Sequence, residues 1–197
     1  MPVITTHIAT PERWDDLQRA LTGGGDGASC QCAWWTHTNP QFNGSSADQR
    51  RDWLQAEIDA GPPPGIIAYL DKQPAGWARI GPRTAQIRLA RTRNIVAATT
   101  EPLDDPDVWA VTCFVVRREH RGSGLAAALL NAAVNYARNS GARLIEAYPT
   151  DTSSGKHSTN ELFTGTLGTF VAAGFTQTGL RKPGRPIVAL ALAQGAN

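Results

Sequence analysis

An arginine, two glycines one residue apart and the start of an apolar helix follow one another in Arg121-Gly122-Ser123-Gly124-Leu125-Ala126, within the stretch FVVRREHRGSGLAAALL from Phe114 to Leu130. That order of residue types can hold a phosphate. Glycine lets the backbone turn tightly and approach a ligand with no Cβ in the way, and the N–H groups that open the next helix then face an anion. Arg121 adds a charged donor. Leu125, Ala128, Leu129, Ala132, Ala133 and Tyr136 recur at the helical period, so one face of that helix packs on a sheet. The run before it, DVWAVTCFVV, is short and rich in valine and aromatics, as a buried strand is. Other phosphate motifs fit worse. The chain has no Gly-Lys-Ser/Thr, and Ala127 stands where a dinucleotide G-x-G-x-x-G needs its third glycine.

The remaining elements must carry this turn and supply the rest of a site. VITTHI reads as a first strand and PERWDDLQRAL as a first helix, with Thr10 as cap and Pro11 at its first position. TGGGDGAS breaks that helix. The segment from Cys30 to Gly61 holds one or two helices, the second capped near Ser46 and stopped by Gly61 and the prolines after it. GIIAYLDKQPAGWARIG is a hairpin about a turn at Asp71 to Pro74, and the stretch from Pro82 to Pro106 has no clear period. After the glycine motif come ARLIEAYP as a strand, TDTSSGKHSTNE as a polar loop, FTGTLGTFVAAGF as a short last helix, and TQTGL with PIVALALA as a closing strand pair. A single domain over residues 1–197 is expected.

Arg121 to Ala126 resembles the R-x-x-G-x-G/A signature of the GNAT superfamily of acetyl-CoA-dependent acyltransferases, with Phe114-Val115-Val116 as the strand before it. The order of elements is similar over nearly the full length. The resemblance implies an α/β GNAT fold: a central mixed, largely antiparallel sheet flanked by helices, with splayed fourth and fifth strands that take the thioester end of acetyl-CoA between them. It further implies that the backbone of Phe114, Val115 and Val116 holds the pantetheine arm. Arg121, Gly122, Ser123, Gly124, Leu125 and Ala126 would hold the pyrophosphate. The activity implied is acetyl transfer from acetyl-CoA, as co-substrate, to the primary amine of a small molecule by direct attack in a ternary complex. Two alternatives stay open: an acyl-CoA-binding regulatory module without transfer activity, and acetylation of a protein or aminoacyl-tRNA amine.

Many family members carry an asparagine at the start of the last helix and a proton-donating tyrosine near its end. Counted back from Gly174-Phe175, those positions hold Phe163 and Phe170, and a base position on the motif strand holds Ala110. None of the three can exchange a proton. Glu146 and Tyr148 share one face of LIEAYP, on the strand expected to flank the thioester, so Glu146 is a candidate base and Tyr148 a candidate acid. The alternative is that Glu146 pairs with an arginine and Tyr148 packs its ring at the strand end. Asp151 and His157 sit in the polar loop and are weaker candidates.

Trp34 and Trp35, with Trp53, fall in the region that lies over the acceptor side in GNAT folds, where they could wall a substrate pocket or bury the first helices. Arg79, Arg83, Arg88, Arg91 and Arg93 could bind an acidic acceptor, the CoA 3′-phosphate or RNA, or form a solvated basic loop. Cys30 and Cys32 with His37 do not have zinc spacing and no metal is expected; Cys113 reads as core. A formal net charge of +2 over 197 residues argues against nucleic acid or membrane as an obligatory partner. The opening residues lack a basic region followed by an apolar block, no stretch approaches the ~20 apolar residues of a membrane span, and the three cysteines make no disulfide framework. A cytoplasmic enzyme is expected, with a homodimer left open.

Overall fold

Apolar runs of period two fold into strands, and the segments of period near four fold into helices. The computed structural model describes residues 2–153, 155 and 157–192. In chain order it contains β1 (Ile4–Ile8), α1 (Trp14–Leu21), α2 (Gly27–Cys30), α3 (Asn39–Gly44), α4 (Ala47–Ala60), β2 (Gly65–Leu70), β3 (Gln73–Pro82), α5 (Arg93–Val96), β4 (Val108–Val116), α6 (Leu125–Asn139), β5 (Leu144–Ala147), α7 (Leu167–Ala172), β6 (Thr176–Lys182) and β7 (Arg185–Ala191). Ser154, Lys156 and Ala193, which belong to the expected polar loop and last strand, lie outside the described residues.

The strands form one sheet in the order β1-β2-β3-β4-β5-β7-β6, antiparallel except for the parallel pair β4 and β5. That is the mixed, largely antiparallel sheet expected. β2 shows how it is clothed. Ile66 and Ala68 point to one face and pack with Leu129, Leu130 and Ala133 of α6, while Ile67 and Tyr69 point to the other with Leu17 and Leu21 of α1 and Leu54 and Ile58 of α4. Each such buried leucine or isoleucine contributes about 1.5–3 kcal/mol relative to exposure.

Several local readings hold and some shift. Ser46 caps α4 by accepting from the Gln49 N–H while the Gln49 side chain bonds the Ser46 N–H, and Gly61 ends the helix at φ 57°. Thr38 and Gln41 repeat the device on α3, a shorter helix. Thr10 makes no side-chain cap. Pro11 to Arg13 form a 3-10 turn and α1 starts at Trp14. The hairpin turn is tighter than expected: Asp71 and Lys72, at φ 47° and 70°, make the whole loop, because two left-handed residues match the strand twist. ARLIEAYP yields only Leu144–Ala147 as strand.

Two irregularities in β4 position the site. Arg79 pairs with Cys113 and Ile80 with Val111, so Thr112 bulges out of the ladder with β3. On the other side β4 pairs with β5 only over Val108–Val111, opposite Leu144–Ala147, and then runs on alone to Val116. The fourth and fifth strands therefore part in the middle of the sheet.

Candidate acyl-transfer site

Where the two strands part lies a cavity of about 630 Å³. One wall is the free end of β4, Cys113 to Val116, which leads to Arg121 and Ala126 at the mouth of α6. The turn between them has the geometry that its glycines allow. Gly122 and Gly124 sit at φ 79° and 88°, where a side chain is strained. A Cβ at Gly122 would meet nothing within 4 Å, and one at Gly124 only Ile4 Cδ1 at 3.9 Å, so the turn faces open space. The Ser123 hydroxyl donates to the His120 carbonyl at 2.5 Å and Leu125 is buried in the core, so these two residues can offer a ligand only their backbone N–H groups. Arg121 Nε donates to the Val116 carbonyl at 3.4 Å, which holds the guanidinium beside the strand end.

The opposite wall comes from residues not singled out in the sequence. Gly24, Gly25, Asp26 and Gly27 line the cavity. They are held there by the arginine turn: the Arg118 N–H donates to the Gly23 carbonyl at 2.8 Å, and Arg117 Nη1 donates to the Arg19 carbonyl at 2.6 Å. Any Cβ on Gly23 would run into the Arg117 side chain. The run GGGDG reads as a helix breaker, yet its repetition is the signal of a close backbone approach. Beyond it Trp34, Phe42 and Arg50 continue the wall. The Arg50 guanidinium lies 3.9 Å from the Phe42 ring centroid and donates to the Ser29 carbonyl at 2.8 Å.

The two neighbouring tryptophans part company. Trp34 lines the cavity, with the Arg88 guanidinium 3.7 Å over its ring. Trp35 is core: it is buried with Leu89, Ile95 and Tyr148, and its Nε1 donates to the carbonyl of the bulged Thr112 at 3.1 Å. Of the two tryptophans expected to wall a substrate pocket, Trp34 lines the cavity and Trp35 does not. Trp53 stacks on His37 at 3.8 Å between centroids.

Glu146 and Tyr148 do not line the cavity. The Glu146 carboxylate is fully buried and accepts from Arg83 Nη1 at 3.0 Å, from Thr99 Oγ1 at 2.5 Å and from the Tyr148 hydroxyl at 2.5 Å. Both carboxylate oxygens are thus committed to the protein. Burial, and then the negative Glu146 beside it, push the Tyr148 phenol well above its ordinary range, so it holds its proton more tightly than a free tyrosine. The expectation of a base and an acid here meets an ion-pair network instead. The basic stretch is likewise structural in part: Arg79 pairs with Glu57 at 2.7 Å, Arg83 with Glu146, and Arg88 donates to the carbonyls of Trp34 and His37 and to Asn39. Only Arg91 and Arg93 of the five are exposed.

At the remaining expected positions, Phe170 is buried edge-on to Phe114 and Phe175. Phe163 lines the cavity and its backbone carbonyl accepts from the Phe114 N–H at 2.6 Å. Ala110 is buried on β4 opposite Glu146.

The sequence model of the acetyltransferase (GNAT) family matches residues 30–162. The chain belongs to that family. This acetyltransferase also shares its fold with many solved structures. Against yncA from Salmonella typhimurium, solved with acetyl-CoA, the identity is 18%, the cover 98% of this chain and 96% of that one, and the TM-score 0.52. For the ribosomal-protein-alanine N-acetyltransferase from Brucella melitensis the values are 18%, 95%, 99% and 0.54. For the paiA N-acetyltransferase from Thermoplasma acidophilum, solved with coenzyme A, they are 10%, 96%, 99% and 0.52. No curated protein matches the acetyltransferase in sequence. Among its described residues no cluster of three or more His, Cys, Asp or Glu side chains can hold a metal ion, and no helix is long and apolar enough to cross a membrane.

Proposed function

We propose that this N-acetyltransferase moves an acetyl group from acetyl-CoA to the primary amine of a small molecule by direct attack in a ternary complex. The observation that carries the reading is the continuity of one cavity, from Arg121 and Ala126 along β4 to the wall of Trp34, Phe42 and Arg50. A two-substrate reaction needs both partners in one dry space with the reacting atoms close. Two of the similar structures hold acetyl-CoA or coenzyme A, and the residues present here fit that group: the Gly122–Gly124 turn faces open space where a phosphate would sit, and the helix behind it is long enough to present a full set of N–H donors. Acetyl-CoA supplies an activated thioester carbonyl. The chain would hold its pyrophosphate with Arg121 and the backbone of Gly122 to Ala126, and its pantetheine arm along Phe114 to Val116.

On the acceptor side, the rings of Trp34 and Phe42, stacked by Arg88 and Arg50, suit an apolar body. Asp26 is the carboxylate of the cavity wall and would attract an ammonium. We assign Glu146 and Tyr148 a positioning role: with Arg83 and Thr99 they fix the end of β5 where the strands part. We read the chain as one domain acting in the cytoplasm.

Two measurements test this. Calorimetry should detect acetyl-CoA binding, and CoA release across a panel of small amines should be faster than the blank for at least one. Binding without release for any amine, peptide or aminoacyl-tRNA would favour a regulatory acyl-CoA module, which Phe163, Phe170 and Ala110 at the usual proton-transfer positions also suit. No binding would overturn both.

A further inference from the structure

The chain has three cysteines, and all of them meet the same cavity. Cys32 and Cys113, 81 residues apart, bring their sulfurs to 3.1 Å. Neither belongs to the acetyl-transfer reading above. Cys32 follows Gln31 in a pair of left-handed residues, at φ 51° and 49°, and this kink turns its thiol inward, away from solvent and toward β4. Cys113 stands at the bulge of β4, directly opposite Arg79. Both residues line the cavity, Cys32 1% and Cys113 7% exposed, so a reagent would have to approach them from the cavity and not from the outer surface.

The groups around Cys32 favour a thiolate there. Trp77, fully buried, donates its Nε1–H to Cys32 Sγ at 3.1 Å. Either thiol can donate across the contact between the two sulfurs. The indole N–H is already aimed at Cys32, so with Cys113 as the donor the Cys32 sulfur accepts twice, against the opposing effect of its burial. The S–H of Cys113 lowers the Cys32 thiol below the ordinary range and the charge of Arg79 adds to this, while Cys113 is pushed up by sharing its proton with Cys32 and by burial. Cys30 is a built-in comparison: burial raises it to about 11, so it stays a thiol at neutral pH.

We propose that Cys32 and Cys113 form a reactive dithiol, in which Cys32 attacks low-molecular-weight disulfides that enter the cavity and Cys113 resolves the product to an intramolecular disulfide. The electron balance is that of thiol–disulfide exchange. The Cys32 thiolate attacks one sulfur of oxidised glutathione, the S–S bond breaks, and one glutathione leaves as thiolate. Cys113 gives its proton to solvent, attacks Cys32 Sγ and expels the second glutathione. The two protein sulfurs lose two electrons and the reagent gains them. The new bond would tie the segment after α2 to β4 across the cavity wall.

The test uses the full chain and oxidised glutathione. Two of the three thiols should disappear from a thiol count, a non-reducing peptide map should show Cys32 joined to Cys113, and dithiothreitol should restore all of them. Cys113→Ser should stop at a mixed disulfide on Cys32, and Cys30→Ser should behave as wild type. Limiting iodoacetamide on the reduced wild type should label Cys32 before Cys30, with half-labelling below the ~8.5 of an ordinary thiol. Three unreacted thiols in the folded wild type, a Cys30 cross-link, or labelling of Cys30 first would each overturn the proposal. The wild-type measurements decide it even if a variant fails to fold.

Discussion

Arg83 Nη1 and Glu146 Oε2 meet at 3.0 Å with side chains only 1% and 0% exposed. Removing one partner of such a pair strands the other charge in the core, at a cost of about 3–5 kcal/mol. Glu146→Gln is therefore expected to lower Tm sharply, and acetyl-CoA binding and turnover should fall together as the fold loosens. A Glu146→Gln protein that melts like wild type but turns over about 100-fold more slowly would return this residue to the role of base.

The raised Tyr148 phenol gives the same network a pH signature. A group whose folded pKa lies above its unfolded value contributes stability that is intact below the unfolded pKa, about 10 for tyrosine, and is lost as pH rises toward the folded one. The stability of the wild type should thus decline more steeply above about pH 10 than that of Tyr148→Phe. Near neutral pH the variant should lose only the charge-assisted hydrogen bond to Glu146, about 1.5–3 kcal/mol. Urea titrations between about pH 8 and 11 read both effects; parallel curves would mean that Tyr148 is not the responsible group.

Gly124 holds φ 88° at the opening of α6. Gly124→Glu adds strain of about 1–2 kcal/mol from the left-handed backbone and sets a negative charge where phosphate should sit. Acetyl-CoA affinity should collapse while the protein remains folded. Arg121→Ala should weaken binding by about 1–3 kcal/mol, the loss of a charge-assisted hydrogen bond. Calorimetry with unchanged affinity in both variants would move the cofactor away from this turn.

Trp34 and Trp35 are neighbours with opposite expected effects. Trp34→Ala should raise the KM for the acceptor with little change in Tm, because Trp34 lines the cavity. Trp35→Ala removes a ring buried against Tyr148 and Phe163, together with the bond to the Thr112 carbonyl, and should cost about 3–5 kcal/mol. Equal losses of stability in the two variants would contradict this division.

What was legible in the sequence depended on how far each interaction reaches along the chain. The glycine turn and the Ser46–Gln49 cap are set by residues a few positions apart, so residue type alone places them. The hydrophobic period of α6 is local too. The Arg83–Glu146 pair spans 63 residues and arises only once β3, β4 and β5 lie side by side; the Cys32–Cys113 contact spans 81 and needs the segment after α2 to pack on β4. The same holds for Gly23, whose lack of a side chain matters because Arg117 from a distant turn presses on it. Glu146 of β5 and Tyr148, just past its end, do come to the same side, where the Tyr148 hydroxyl bonds the Glu146 carboxylate. Sequence could not say that Arg83 would reach that side first.

The parting of β4 and β5 has a bearing on solubility. A strand that outruns its partner presents unpaired N–H and C=O groups to any other chain able to add a strand, and valine- and phenylalanine-rich edges are the most prone to do so. Here the stretch beyond the pairing with β5 is TCFVV, which is buried up to Val115, and its Phe114 N–H is already taken by the Phe163 carbonyl. Phe163, whose side chain can exchange no proton, thus contributes its backbone as a plug against edge-to-edge pairing. The gap can serve a ligand without serving as a seed for self-association.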